Sequence, residues 1–418
     1  MEPKFIAIAV FALAYILFVI FPNRRMPVAV GSVLLLLLTM TLSPLQTFWA
    51  VNWNVMGIFF GMQLLANIFI ESRVPAFIAE VIVDRAGTVA WATLLICILT
   101  GIISAFVDNV TTVLIVAPIA LALARKIKIN PTSMIIGIAI SSNLQGTATL
   151  IGDPPSMLLG AFAKMRFVDF FFYHGRPSIF FAVELGAIAS FVVLYFIYRH
   201  YKERVKLIPV ETVTSWVPAL TLGALILCLS FASPLNIPAG LFCLAFAAFA
   251  LVWKRVSTGA KVFGQIKALD WDSIFFLAGI FILVGSLTLT GWIAVLAEAL
   301  TGIVGNNLFF GYTLLVFFSV FVSAFIDNIP FLAAMLPVAI SISARLGVPP
   351  QLFLFGLLIG ASLGGNITPF GASANFIACG LLKKEGYPVK FMDFVKIGLP
   401  FTLAAVFAGY VFIWFVWR

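Results

Sequence analysis

Charge is what this chain has least of. Only 10% of its 418 residues are Asp, Glu, Lys or Arg, while 63% are hydrophobic. A water-facing surface needs roughly 25–35% charged residues, so a soluble domain of this length is excluded. Histidine is nearly missing: His174 and His200 are the two in the chain. Both fall in or beside loops with nothing to pair with, which argues against a histidine-built metal centre. The four cysteines, Cys97, Cys228, Cys243 and Cys379, sit inside apolar segments without metal-type spacing. They read as small core residues, and a disulfide framework is excluded. No Gly-x-x-x-x-Gly-Lys-Ser/Thr box occurs, so the chain carries no ATPase of its own. There is no low-complexity tail, and the longest polar segment, 199–215, joins two halves.

What is present is apolar sequence in long runs, without the period-two alternation of an outer-membrane barrel. Candidate spans are 4–21, 27–43, 53–71, 89–107, 110–124, 133–165, 179–198, 216–232, 238–253, 271–290, 309–326, 330–344, 351–382 and 395–416, with 133–165 and 351–382 interrupted. Most can cross a hydrocarbon core of about 30 Å. The run 5–21 reads as a span rather than a cleavable signal, because no small-residue cleavage site follows it. The net charge of +9 comes from basic residues at segment ends, so it reads as topology and implies no nucleic-acid partner. The expected class is an all-α polytopic membrane protein, multi-pass in a prokaryotic plasma (inner) membrane and in contact with lipid.

Buried polar boxes occur in two near-copies. Residues 104–109 read Ser-Ala-Phe-Val-Asp-Asn and residues 323–328 read Ser-Ala-Phe-Ile-Asp-Asn. Asp108 and Asp327 stand 219 positions apart (327 − 108), and Pro118/Pro337, Gly146/Gly365, Thr149/Thr368 and Gly152/Gly371 keep that offset. An Asp at the centre of a membrane helix costs roughly 2.5–3.5 kcal/mol. Two at matching points suggest one site built from both halves. We expect a first repeat over 1–198, a cytoplasmic loop over 199–215 and a second repeat over 216–418. Each repeat would hold a re-entrant helical hairpin and a broken transmembrane helix. Counting 89–125 and 309–344 as re-entrant leaves five crossings per half, which inverts the second half. With the N-terminus outside, 19 of the 25 Lys and Arg fall in inside segments, as the positive-inside rule requires. A plain hairpin gives the same count, so charge does not decide re-entrance. Residues 74–86 and 292–304 read as interfacial helices.

The first box should be a helix-break-helix tip. The first helix stops near Val107, Asp108 or Asn109 caps the second, and Thr111 and Thr112 fall in its first turn. Carbonyl ends with a carboxylate suit Na+ or a proton, and free amides suit an anion. The second box, Ser141 to Pro155, brackets polar residues between Gly146 and Gly152 and ends in two prolines, so a discontinuous helix is expected. Asp153 is a third buried acid, with Ala372 at its matching position. Glu184 is either a proton-path acid or a surface acid. Arg125, Lys126 and Lys128 anchor the inner interface.

These boxes resemble the ArsB/NhaD permease group of the ion transporter superfamily, which spans arsenite permeases, NhaD-type Na+/H+ antiporters, plant silicon carriers and the melanosomal P protein. The likeness rests on SAFVDNVTTVLIVAPI, SSNLQGTATLIGDPPSMLLG, SAFIDNIPF and GASLGGNITPFGASANFIACG. The Gly-Asp-Pro-Pro box lies nearer the P-protein-like branch than the arsenite pumps, and the divalent anion/sodium symporters are more distantly similar. The resemblance implies two inverted-topology repeats around one site. Asp108, Asn109, Asp327 and Asn328 would bind a cation or proton, with Asp153 as a further buried acid of that set. Asn143, Thr147, Thr149, Gly152, Asn366, Thr368, Gly371 and Asn375 would complete the ion and substrate sites. It implies no cofactor and no metal beyond Na+, Na+ or H+ as coupling ion, an elevator-like movement, and from distant relatives a homodimer.

The expected activity is secondary transport of a small anion or metalloid oxyanion, not an enzymatic reaction. The alternative is Na+/H+ exchange with no oxyanion substrate. A membrane aspartyl protease would need Gly-x-Gly-Asp, and here the acids follow Phe-Val and Phe-Ile; a passive channel is a further alternative. Neutralising either Asp108 or Asp327 is expected to abolish coupled transport.

Overall fold

The computed structural model describes residues 2–21, 24–203, 211–231, 237–305 and 307–418. Residues 204–210 of the expected inter-repeat loop, and Ala232 at the end of one expected span, lie outside the described residues. The chain is almost wholly helical. Ten helices make the first half: α1 Pro3–Ile20, α2 Arg25–Leu38, α3 Pro44–Ala50, α4 Trp53–Glu71, α5 Val74–Arg85, α6 Val89–Ser104, α7 Asn109–Ile127, α8 Thr132–Gly146, α9 Pro154–Phe162 and α10 Ile179–Tyr198. Ten more make the second: α11 Val217–Phe231, α12 Ala239–Thr258, α13 Val262–Lys267, α14 Trp271–Leu289, α15 Trp292–Val304, α16 Leu308–Ser323, α17 Asn328–Leu346, α18 Gln351–Gly364, α19 Ser373–Lys384 and α20 Phe391–Trp417. A two-residue β-hairpin, β1 Phe172–Tyr173 with β2 Arg176–Pro177, turns at His174 and Gly175. Among the described residues eight helices are long and apolar enough to cross a membrane.

The 219-residue offset governs helix boundaries as well as motifs. α6 and α16, and likewise α7 and α17, begin and end at matching positions. Equivalent helices also pack on each other. A Cβ on Gly186 of α10 would lie 3.0 Å from the carbonyl oxygen of Ala405 in α20, and one on Gly409 would lie 3.5 Å from that of Ala182. Contacts that rise along one helix as they fall along the other mean that α10 and α20 run antiparallel.

One expected span is shorter than the sequence suggested. The run 27–43 ends its helix at Leu38, because Met40 adopts a left-handed backbone (φ 53°). Ser43 then starts α3 with a capping box: its hydroxyl accepts from the Gln46 amide at 3.2 Å while Gln46 Oε1 accepts from the Ser43 amide at 2.8 Å. The apolar pattern could not show this, since the cap is polar and local.

The halves are interleaved. α4 packs along α12, and α2 packs along α14. Gly57 and Gly61 form the small-residue stripe that lets α4 approach α12 closely. A Cβ on Gly61 would lie 2.6 Å from the Cys243 carbonyl carbon and 2.7 Å from its oxygen. Asn54 Oδ1 accepts from the Gly240 amide at 2.8 Å at one end, and Lys254 meets Glu71 at the other. Gly61→Leu is therefore expected to destabilise by at least about 1–3 kcal/mol, because backbone cannot yield to the added atoms. A thermal-melt comparison with Gly31→Leu checks this, since nothing lies within 4 Å of that glycine's missing Cβ.

Candidate functional site

The two acidic boxes form helix breaks as their composition requires. α6 stops at Ser104, three residues before Val107, and Asp108 caps α7 by accepting from the Thr111 amide at 3.1 Å. In the second half α16 stops at Ser323, and Asp327 caps α17 by accepting from the Ile329 amide at 3.1 Å. Most polar groups of the tips are shielded: Ser104 and Ser323 are wholly buried, Asn109, Asp327 and Asn328 are under a tenth exposed, and Asp108 is half-buried.

Each tip is buried against the break in the broken helix of its own half. α8 ends at Gly146 and α9 restarts at Pro154; α18 ends at Gly364 and α19 restarts at Ser373. Thr149 donates its hydroxyl to the Ala105 carbonyl, and Thr368 donates to that of Ala324, the same bond at the same offset. Gly152 and Gly371 permit the contact. A Cβ on Gly152 would lie 2.9 Å from the Ala105 oxygen and 3.0 Å from that of Ser104, and one on Gly371 would lie 2.8 Å from that of Ser323. Only a residue without a side chain fits between these carbonyls. Thr149, Thr368, Gly152 and Gly371 thus clasp tip to break. Asp153 belongs to the same clasp. It is buried, caps α9 by accepting from the Ser156 amide at 2.9 Å, and accepts from the Thr147 hydroxyl at 3.4 Å.

Between the halves lies a cavity of about 340 Å³. Asp108, Asn109 and Thr111 line it from the first tip, and Asn328 and Ile329 from the second. Asn143, Pro154 and Pro155 come from one broken helix, and Ala372 to Ala374 from the other. Both tips and both breaks therefore meet at one space. Behind Asn143 stands an amide lattice: its Nδ2 donates to Asn366 Oδ1 and to Asn375 Oδ1, both at 2.9 Å. Asn375 in turn donates to the Gly365 and Thr368 carbonyls at 3.0 and 3.1 Å, and Asn366 to that of Ile140 at 3.3 Å. On the first tip, Ser104 donates to Asn109 Oδ1 at 2.7 Å, and Ser142 donates to the Asn109 carbonyl at 3.1 Å.

Asp327 does not line this cavity. Its Oδ2 lies 2.7 Å from Arg25 Nη1, and the same nitrogen donates to Ser373 Oγ at 3.2 Å. This pair lines a separate cavity of about 450 Å³, walled by Phe18, Phe325, Phe370 and Phe376. The two cavities thus share lining residues, Ala372 and Ser373, but the two acids face different spaces.

Sequence reasoning missed part of the lining. Gln63 and Asn67 reach the cavity from α4, and Asp270 and Ser273 from the start of α14, where Asp270 is exposed at the cavity's edge. Gln63 and Asn67 carried a readable signal: two amides four apart on one face of an apolar span. Asp270 carried none, since it stands beside a polar loop. Among the described lining residues there are two carboxylates, Asp108 and Asp270, and no Lys, Arg or His.

Comparison with known proteins gives this arrangement a family. The model of the citrate transporter family (CitMHS) matches residues 15–344, with a second, overlapping match over 309–418. An uncharacterised transporter of Mycobacterium tuberculosis is 28% identical over 98% of this chain and 97% of its own length. A second from that organism is 30% identical over 87% of this chain and 86% of its own. The human P protein is 23% identical over 86% of this chain, but over only 53% of its own length. Among solved structures, the YdaH transporter of Alcanivorax borkumensis superposes with a TM-score of 0.63 at 13% identity, covering 99% of this chain and 98% of that one. MtrF of Neisseria gonorrhoeae, from a class of antimetabolite efflux pumps, gives 0.55 at 14% identity over 88% and 81%. At such identities the likeness shows the fold alone. The resemblance read from the boxes holds at the level of the ion transporter superfamily, while the matching family model is that of citrate carriers and not of the ArsB/NhaD group. The chain belongs to the citrate transporter family, and it is a multi-pass transporter of the plasma membrane, not an enzyme.

Proposed function

We propose that the protein is a cation-coupled secondary carrier of a small multiply charged anion, citrate first among them. The observation that carries this reading is the cavity where both tips and both breaks meet. Its amides and hydroxyls, from Gln63, Asn67, Asn109, Thr111 and Asn328, offer hydrogen bonds to carboxylate or oxyanion oxygens. Its two carboxylates, without a basic residue beside them, repel a bare anion. The anion must therefore enter with positive charge, and Asp108 is the group placed to receive it: a carboxylate at a helix break, beside Asn109, deep in the fold. The matching helix boundaries, with α10 antiparallel to α20, support a pair of inverted repeats. Alternating access then follows as movement of the hairpins and broken helices against the interleaved outer helices. The P protein likeness and the Gly-Asp-Pro-Pro box keep inorganic oxyanions as further candidates.

The test is uptake by proteoliposomes of radiolabelled citrate, alone or with Mg2+ or Ca2+, and of phosphate, arsenite and silicate, under imposed pH or Na+ gradients. Gradient-driven accumulation of citrate is expected. Equal flux with and without both gradients would refute coupling. A second reading has one observation in its favour: Asp108 and Asp270 in one cavity without a fixed cation also suit Na+/H+ exchange. Dye-reported proton movement driven by Na+ without any added anion would select it.

A further inference from the structure

We propose that Arg25 is a built-in counter-ion standing where the second repeat would hold a travelling cation, so that coupling runs through Asp108 alone. This rests on the cation-coupled reading above and adds the number of coupling ions to it.

The two acids hold matching positions. Each follows Ser-Ala-Phe with one residue between, precedes Asn, caps the second arm of a hairpin and accepts from a backbone amide at 3.1 Å, that of Thr111 for Asp108 and that of Ile329 for Asp327. They differ in what faces them. Asp108 faces the polar cavity and Asp270. Asp327 faces Arg25, at 2.7 Å, and the guanidinium closes on Ser373 at 3.2 Å while Ser373 also reaches Asp327 at 3.4 Å. The other described groups around this pair are apolar side chains of α1, of the second hairpin and of α19, and Tyr15 donates its hydroxyl to the Pro330 carbonyl at 2.5 Å. No further charged residue lines that cavity among the described residues. A guanidinium is charged at every physiological pH and cannot leave its chain. It neutralises Asp327 as a bound Na+ or a proton would, but permanently.

The asymmetry is built into the backbone. Arg25 is the first residue of α2, at the elbow after α1. At the 219-residue offset the position matching Arg25 is Leu244, inside α12, and residues 237–253 around it hold no Lys or Arg. Among the described residues, the cavity at Asp108 is lined by no Lys or Arg. One repeat leaves its negative charge to an exchangeable cation, and the other pairs its charge with the chain's own guanidinium.

The deciding variant is the double neutral Arg25→Gln/Asp327→Asn, which removes both charges and leaves no buried charge unpaired. Cations moved per citrate are read from the membrane potential at which net flux stops, under imposed H+ and Na+ gradients. In parallel, and without any substrate, the thermal midpoint of the purified protein is followed against Na+ and pH, since a bound ion stabilises the state that binds it. The double variant is expected to keep the wild-type ratio and the wild-type midpoint shift. Arg25→Lys should do the same. Arg25→Gln alone should move one cation more per substrate, because Asp327 becomes free to take one. A double variant whose ratio falls by one, or whose midpoint no longer responds to cation, overturns the proposal, since Asp327 would then carry a coupling ion itself. An Arg25→Gln that transports with an unchanged ratio overturns it too. A wild-type protein that responds to neither gradient refutes the underlying reading instead, and is told apart by failing before any variant is made.

Discussion

Asp108→Asn is expected to abolish cation-driven accumulation while leaving the protein folded. The argument separates charge from structure at one residue. Asp108 does two things: it caps α7 through the Thr111 amide, and it brings a carboxylate to the cavity. Asn caps a helix about as well as Asp, so α7 should start where it does now and the thermal midpoint should stay within about 2 °C. What is lost is the negative charge. A drop in gradient-driven uptake of about 100-fold, near 2.7 kcal/mol of transition-state free energy, is the expected scale. Counterflow of labelled against unlabelled citrate, which needs no net coupling, should fall much less. A variant that still accumulates citrate against its gradient would remove Asp108 from the coupling step.

The second large effect is expected at Asn143. Its amide nitrogen donates to two amide oxygens on the opposite half. Neither acceptor can be turned round without loss, because Asn375 and Asn366 already donate their own nitrogens to backbone carbonyls. The lattice therefore has a fixed direction, with Asn143 as its donor. Asn143→Leu leaves two buried oxygens without a partner, at about 1–3 kcal/mol each, and should lower the melting temperature and remove transport together. Asn143→Asp is the sharper test. It keeps the shape but sets acceptor against acceptor, and should be at least as damaging. Its repeat counterpart, Ser362, is buried with a hydroxyl that has no partner among the described residues. Ser362→Ala should cost almost nothing, as measured by the same melt.

Much of this fold was legible in sequence because membranes make polar residues conspicuous. Asp108 and Asp327 stood out against apolar runs, and Gly146, Gly152 and the Pro154-Pro155 pair marked a break that has no regular helical solution. The fixed offset then carried over to helix boundaries, because the same caps end the same helices. Other features were hidden for physical reasons. Thr149 and Gly152 stood out as site residues because hydroxyls and glycines near a break are conspicuous in apolar sequence; their contacts to the Ala105 carbonyl could not be read there. Asp327 read as the twin of Asp108 because its distinguishing partner, Arg25, lies 302 residues away in the chain. Arg25 itself passed for one more basic residue at a segment end. Composition places a charge at a depth, but not beside a particular acid.

The interleaving of α4 with α12 bears on how the protein is made. Residues 53–71 emerge from the ribosome long before residues 239–258, so Gly57 and Gly61 enter the bilayer with their groove unfilled. Lipid, or an insertion chaperone, must shield that groove until the later helix arrives. Neither half can be a finished unit by itself. Cells given the two halves as separate polypeptides should accumulate stable protein only when both are translated together, and each alone should be degraded.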